Sequence, residues 1–135
     1  MVHVVGAVIV KDGRVLAARR GEQMKLPGTW EFPGGKLEPC ESEQSALMRE
    51  VQEELGVHAL VGEHIETTAH EYPFGNVTLS TYYATITSGE PAPTEHAELR
   101  WCAADELAEL NWAPADIPTA RRVIAQLRSA RQARS

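Results

Sequence analysis

The sequence predicts a single α/β domain with a mixed sheet between helices, and three observations carry that prediction. At 135 residues the chain has the length of one domain, since domains run to roughly 100–200 residues. Its 43% hydrophobic and 24% charged residues match ordinary globular proteins, which excludes a disordered chain, a collagen-like repeat and a coiled coil. Strand-like and helix-like segments alternate irregularly, without repeats or linkers. No apolar run approaches the roughly 20 residues that span a bilayer, and the N-terminus lacks the basic start and cleavage pattern of a signal peptide. The expectation is a cytoplasmic protein with no membrane partner, one domain over residues 1–135.

Taken in order, VHVVGAVIV at 2–10 and VLAARR at 15–20 are rich in apolar residues and flank Lys11-Asp12-Gly13-Arg14, which predicts two strands joined by an Asp-Gly turn. Residues 21–34 hold two prolines and several glycines with no period and are expected as loop. SEQSALMREVQEEL at 42–55 has no Gly or Pro, with Ser42 placed to cap a helix and Gly56 to end it. Residues 57–70 and 76–87 read as strands joined through Tyr72-Pro73-Phe74-Gly75, 88–94 as loop, and 99–103 as a short strand. Asp105–Leu110 reads as a short helix and Asp116–Arg131 as a longer one, with Asp116 as N-cap and Pro118 in the first turn. Ile117, Ala120, Ile124 and Leu127 of that last helix share one face.

The net charge of -6 hides a layout: +3 over residues 1–30, -5 over 31–54, -9 over 55–120 and +5 over 121–135. Only the C-terminal segment offers the basic surface a nucleic-acid or membrane-surface binder needs, so no stable nucleic-acid partner is expected. Cys40 and Cys102 stand apart with no ligand spacing and are expected as reduced thiols. His58, His64 and His70 recur every six residues on a strand and would share a face if it ran straight; they receive no role.

The helix at 42–55 concentrates the acid. At 100° per residue Glu53 and Glu54 fall within about 60° of Glu50, while Leu47, Val51 and Leu55 lie on the adjacent core side. Three carboxylates about 6 Å apart repel by roughly 2–3 kcal/mol per pair at an effective dielectric near 20. Two of them also sit in the last turn, where the helix dipole disfavours anions by about 0.3–1 kcal/mol each. A solvated acidic face is the ordinary explanation for such residues. A divalent cation with oxygen ligands removes the conflict and bridges to phosphate, which makes the patch a candidate metal cage for a polyphosphate substrate.

GKLEPCESEQSALMREVQEELGV, from Gly35 to Val57, resembles the Nudix box, G-x5-E-x7-R-E-U-x-E-E-x-G-U with U aliphatic, at every fixed position. The resemblance implies a Nudix fold, an α/β/α sandwich with a central mixed β-sheet, and a hydrolase of nucleoside diphosphates linked to another group. It implies that Glu50, Glu53 and Glu54 hold Mg²⁺, or Mn²⁺ as substitute, with the Gly35 carbonyl, and that Glu41 pairs with Arg49. WEFPGGK at 30–36, Glu95 before Trp101, and APADIP at 113–118 further resemble the MutT-type nucleoside triphosphate pyrophosphohydrolases, especially those acting on CTP. That likeness adds Glu95 to the metal site, assigns Asp116 to the base and Arg20 to phosphate.

An ionised Asp116 accepts but cannot donate hydrogen bonds, which suits an exocyclic amino group and points mildly to CTP or dCTP and their modified forms; a protonated one still suits an oxidised purine. Phe32 and Phe74 are candidate walls of the base pocket, with core packing as the ordinary reading for both. Lys36 is placed to offset substrate charge. The reaction implied is attack at the β-phosphorus, giving a nucleoside monophosphate and pyrophosphate, with Glu50 or Glu95 as general base. An ADP-ribose or dinucleotide polyphosphate pyrophosphatase is the rival within the family, since Pro73 falls where ADP-ribose members carry proline. A non-catalytic nucleotide- or RNA-binding module is the rival outside catalysis, and an intact box speaks against it. The chain is expected as a monomer or homodimer.

Overall fold

In the computed structural model, which describes residues 2–134, β1 (Val2–Lys11) and β2 (Arg14–Arg19) form the expected hairpin. Asp12 (φ 52°) and Gly13 (φ 75°) both take the left-handed conformation that a two-residue connection needs to match the strand twist. The segment expected as loop at 21–34 contains β3 (Trp30–Glu31), and β4 (Gly34–Lys36) begins at its end. Neither has a strand-like sequence. Their hydrogen bonds come from distant partners, β3 antiparallel to β2 and β4 antiparallel to β1.

α1 (Glu43–Leu55) starts where Ser42 accepts from the Ser45 N–H and ends at left-handed Gly56 (φ 73°). β5 (His58–Tyr72) and β6 (Gly75–Ser88) form a long antiparallel hairpin, and β6 runs parallel to β1 in the centre of the sheet. β7 (Glu98–Cys102) pairs with β2. The strand order β3-β2-β1-β6-β5 makes the mixed sheet that the sequence predicts. α2 (Ala104–Glu109), a 3-10 turn (Pro114–Asp116) and α3 (Ile117–Arg134) complete the chain.

One face of the sheet is covered by α1, whose Ala46, Leu47, Val51 and Leu55 are buried against Val5, Ala7, Ile9 and Tyr82. The other face is covered by α2 and α3, through Leu107, Ala120 and Val123 packed on Val8, Trp30, Phe32 and Ile65. Burying a leucine such as Leu47 or Leu55 contributes about 1.5–3 kcal/mol, so the core fixes the roll of α1 and turns its carboxylates toward β4.

β5 does not run straight. Its pairing with β6 shifts between Val61 and His64 and again between His64 and Glu66, so strict alternation is lost. His64 lies opposite Tyr82 and edge-on to its ring, whereas His70 lies opposite Val77, five positions away on β6 and hence on the other face. The three histidines therefore do not all lie on one face.

Candidate active site

The box pairing that the resemblance implies is present as geometry. Arg49 reaches both carboxylate oxygens of Glu41, through Nε and Nη2 at 2.8 Å each, and its Nη2 also donates to the Lys36 carbonyl at 3.1 Å. This two-pronged contact ties the loop before α1 to the helix. The guanidinium and the Glu38 backbone hold the Glu41 carboxyl at a pKa of about 2, well below the usual carboxylate range.

Arg49 also resolves the repulsion on α1. Its Nη1 stands 2.8 Å from Glu50 and 3.3 Å from Glu53. Glu50 presses against Gly35, where a methyl group would overlap its carboxylate. Glu54 is organised separately: its Oε1 accepts from the Gly34 N–H at 3.1 Å, and its Oε2 lies 3.4 Å from Nδ1 of His96. Burial pushes the Glu54 carboxyl up to about 7, aided by the charges of Glu31 and Glu50 and opposed by His96 and the Gly34 amide.

The Glu50, Glu53 and Glu54 carboxylates open on one cleft of about 630 Å³. Of the twelve residues singled out above, ten line it: Arg20, Phe32, Gly35, Lys36, Glu50, Glu53, Glu54, Phe74, Glu95 and Asp116. Arg49 and Glu41 stand behind it. Among the described residues no three acidic, His or Cys side chains are placed to hold a metal ion together, and on α1 the Arg49 guanidinium donates to both Glu50 and Glu53. The residue types nevertheless fit a hard cation. The donors are carboxylates and a backbone carbonyl, and the close Glu50–Gly35 contact brings a carboxylate against that backbone.

The structure sharpens the reading of four residues. Asp116 is not a side-chain N-cap: its carboxyl turns inward, is 5% exposed, and accepts from the Phe32 N–H at 3.2 Å. Burial and the neighbouring charge of Glu31 raise its pKa well above the ordinary value, so the neutral carboxyl, both donor and acceptor, is favoured over the ionised acceptor. Arg20 lines the cleft, but its guanidinium is engaged by Glu31 (2.6 Å) and the Lys25 carbonyl (2.5 Å). Phe32 is core as well as wall, buried and stacked on Trp112 with ring centroids 4.6 Å apart. Phe74 is not core: it is 44% exposed, stacked on Tyr72 at 4.8 Å with the Lys25 ammonium 4.4 Å above its ring. The Tyr72 hydroxyl in turn accepts from the Ala115 N–H at 2.8 Å and so steadies the turn bearing Asp116.

Two residues escaped the sequence reading. Glu31 accepts from Arg20 and from His96, whose Nε2 is 2.7 Å away, and it lines the cleft. The His96 side chain is fully enclosed. Burial disfavours its charge, but the Glu31 hydrogen bond and the charges of Glu31 and Glu54 prevail and raise its pKa. The available signals were an acid between two aromatics in Trp30-Glu31-Phe32 and a histidine directly after Glu95.

The NUDIX domain family model matches residues 1–126. CTP pyrophosphohydrolase of Escherichia coli is 41% identical over 133 residues, covering 98% of both chains. The putative 8-oxo-dGTP diphosphatase 2 of Mycobacterium tuberculosis is 38% identical over 120 residues, covering 84% of this chain and 81% of its own. The solution structure of the E. coli ORF135 protein superposes with a TM-score of 0.81 at 41% identity, over 97% of this chain and 93% of that one.

Proposed function

The chain belongs to the NUDIX family of hydrolases, and from that premise we propose that it is a Mg²⁺-dependent nucleoside triphosphate pyrophosphohydrolase, one domain over residues 1–135, acting on CTP, dCTP or modified and oxidised nucleotides such as 5-methyl-dCTP and 8-oxo-dGTP. The observation that carries this reading is the cleft itself. It joins the carboxylate face of α1 and β4 to an aromatic and carboxyl group formed by Phe32, Phe74 and Asp116. A nucleotide has matching parts, a polyanion at one end and a flat base at the other.

Glu50, Glu53, Glu54 and Glu95, with the Gly35 carbonyl, would hold Mg²⁺, or Mn²⁺ in its place. Bound there, the cation would lower the pKa of a water and offset the triphosphate charge. Phe32 and Phe74 flank the base, and Asp116 hydrogen-bonds its edge from a carboxyl whose neutral form burial favours. Lys36 and Arg20 face the phosphates from the cleft wall, while Arg49 keeps Glu41, Glu50 and the Lys36 backbone in register. Water attacks the β-phosphorus, its proton passes to Glu50 or Glu95, and a nucleoside monophosphate and pyrophosphate leave. Phosphoryl transfer of this kind rests chiefly on positioning and charge neutralisation.

The test is a panel of CTP, dCTP, 5-methyl-dCTP, 8-oxo-dGTP, dGTP and ADP-ribose with Mg²⁺, with products identified. Pyrophosphate from a cytidine or oxidised triphosphate, abolished by chelator and by Glu53→Gln, is the expected result. Ribose 5-phosphate from ADP-ribose, with the triphosphates inert, overturns it.

A further inference from the structure

Glu54 differs from its two companions on α1 in how it is held. Glu50 and Glu53 both answer to Arg49, whereas the Glu54 carboxylate meets the Gly34 amide on Oε1 and His96 beside Oε2. His96 is itself fixed. Its Nε2 is hydrogen-bonded to Glu31 at 2.7 Å, and the loop that carries it is pinned from three sides: Ala97 N–H to the Arg19 carbonyl (2.9 Å), Ala92 N–H to the Leu55 carbonyl (3.1 Å), and the Thr94 hydroxyl to the Glu54 carbonyl (3.1 Å). The other ring nitrogen is left over. Among the described residues, Nδ1 of His96 is the buried side-chain polar atom with no hydrogen-bond partner, and the group it faces is Glu54 Oε2 at 3.4 Å.

A buried polar atom without a partner is costly, and here a shift of a few tenths of an ångström in Glu54 supplies one. We propose that His96 is a positioning residue for Glu54: its Nδ1–H closes on Oε2 while the Gly34 N–H holds Oε1, and the carboxylate plane is thereby fixed toward the cleft. This rests on the reading of Glu54 as a ligand of the cation. His96 touches neither substrate nor cation, and it acts as histidines and carboxylates behind metal ligands do, where loss of the partner typically weakens metal affinity about 10–100-fold.

The two nitrogens allow a test that separates positioning from folding. Asparagine places its amide nitrogen near the Nδ1 position, because both hang from Cγ, and so retains the donor to Glu54 while losing Glu31. Glutamine reaches the Nε2 position, and so retains Glu31 while losing Glu54. Binding of Mn²⁺ alone, without nucleotide, is measured by electron paramagnetic resonance for the full chain and for His96→Asn, His96→Gln and Glu54→Gln, with thermal melting of each. The expected result is that His96→Gln weakens Mn²⁺ binding by about 10–100-fold, that His96→Asn stays within about threefold of the parent, and that Glu54→Gln is weakened at least as much as His96→Gln. Parent-like Mn²⁺ binding in His96→Gln alongside weakened binding in Glu54→Gln overturns the role of His96 and leaves Glu54 a ligand. Equal losses in His96→Asn and His96→Gln overturn it as well, since they report a purely structural histidine. Parent-like binding in Glu54→Gln removes the ligand reading itself, and the proposal with it.

Discussion

Replacing Gly21 by alanine puts a methyl carbon 2.5 Å from the carbonyl oxygen of Glu95, and the neighbour it meets is backbone rather than a flexible side-chain end. Gly21 is not among the residues with positive φ, so alanine suits the backbone conformation and the substitution tests space alone. Protein Cβ atoms essentially never approach closer than 3.0 Å, so the loop bearing Glu95 and His96 must move by at least about 0.5 Å. That loop cannot swing out cheaply, because the Ala97 N–H is bonded to the Arg19 carbonyl only two residues from Gly21. Overpacking of this kind typically costs about 1–3 kcal/mol, which for a domain of this size lowers Tm by roughly 3–10 °C. Misplacement by about 1 Å is able to cost 100-fold in rate, so a shift of half that size is expected to lower kcat/KM by about tenfold or more. The assay is pyrophosphate release from CTP, beside a thermal melt. An alanine variant with parental Tm and parental kcat/KM would refute the claim that Gly21 is kept small to seat the Glu95 loop.

Arg49→Lys removes the two-pronged contact with Glu41, which a point-charge ammonium cannot reproduce, so carbon-detected NMR is expected to find the Glu41 carboxyl rising from about 2 toward 4.5; a value still near 2 defeats the assignment. For Glu43, burial raises the pKa, but hydrogen bonds from Tyr82 and Ser80 and the charge of His3 lower it overall. Its folded pKa thus lies below the unfolded one, and the stability it adds is present above about 4.5 and lost as pH falls through the folded value. Glu43→Gln is therefore expected to cost roughly 1–3 kcal/mol at pH 7 by urea unfolding and progressively less as pH falls below about 4.5, and a constant difference down through the acid range contradicts the argument. Asp116 has the opposite sign: its folded pKa is raised, so its favourable contribution is complete below 3.8 and declines as pH rises through the folded value. The urea midpoint of the parent relative to Asp116→Asn should fall as pH rises above about 4, and a rising difference would show an ionised, well-paired carboxylate instead.

The sequence was most legible where chemistry is local. The Asp12-Gly13 turn and the start and end of α1 follow from backbone conformations and caps that a few neighbouring residues decide, and the structure has them within a residue or two. The acidic face of α1 follows from helical periodicity, as does its adjacency to the buried Leu47, Val51 and Leu55. By contrast β3 and β4 were illegible. Two- and three-residue strands have no period, and their partners lie 11 or more positions away along the chain. The register of β5 was hidden for a related reason, since bulges answer to the pairing with β6 rather than to composition.

By itself, then, the sequence determined which element carries the acid, how it is capped, and that its carboxylates conflict with one another and with the helix dipole. It did not determine how that conflict is met or what state the buried groups adopt. Arg49 meets Glu50 and Glu53 within α1 itself, whereas the enclosed His96 between Glu31 and Glu54 and the Asp116 carboxyl against the Phe32 amide depend on segments brought together by the sheet. Ionisation answers to burial and to charges a few ångströms away, and those distances exist only once the chain has folded.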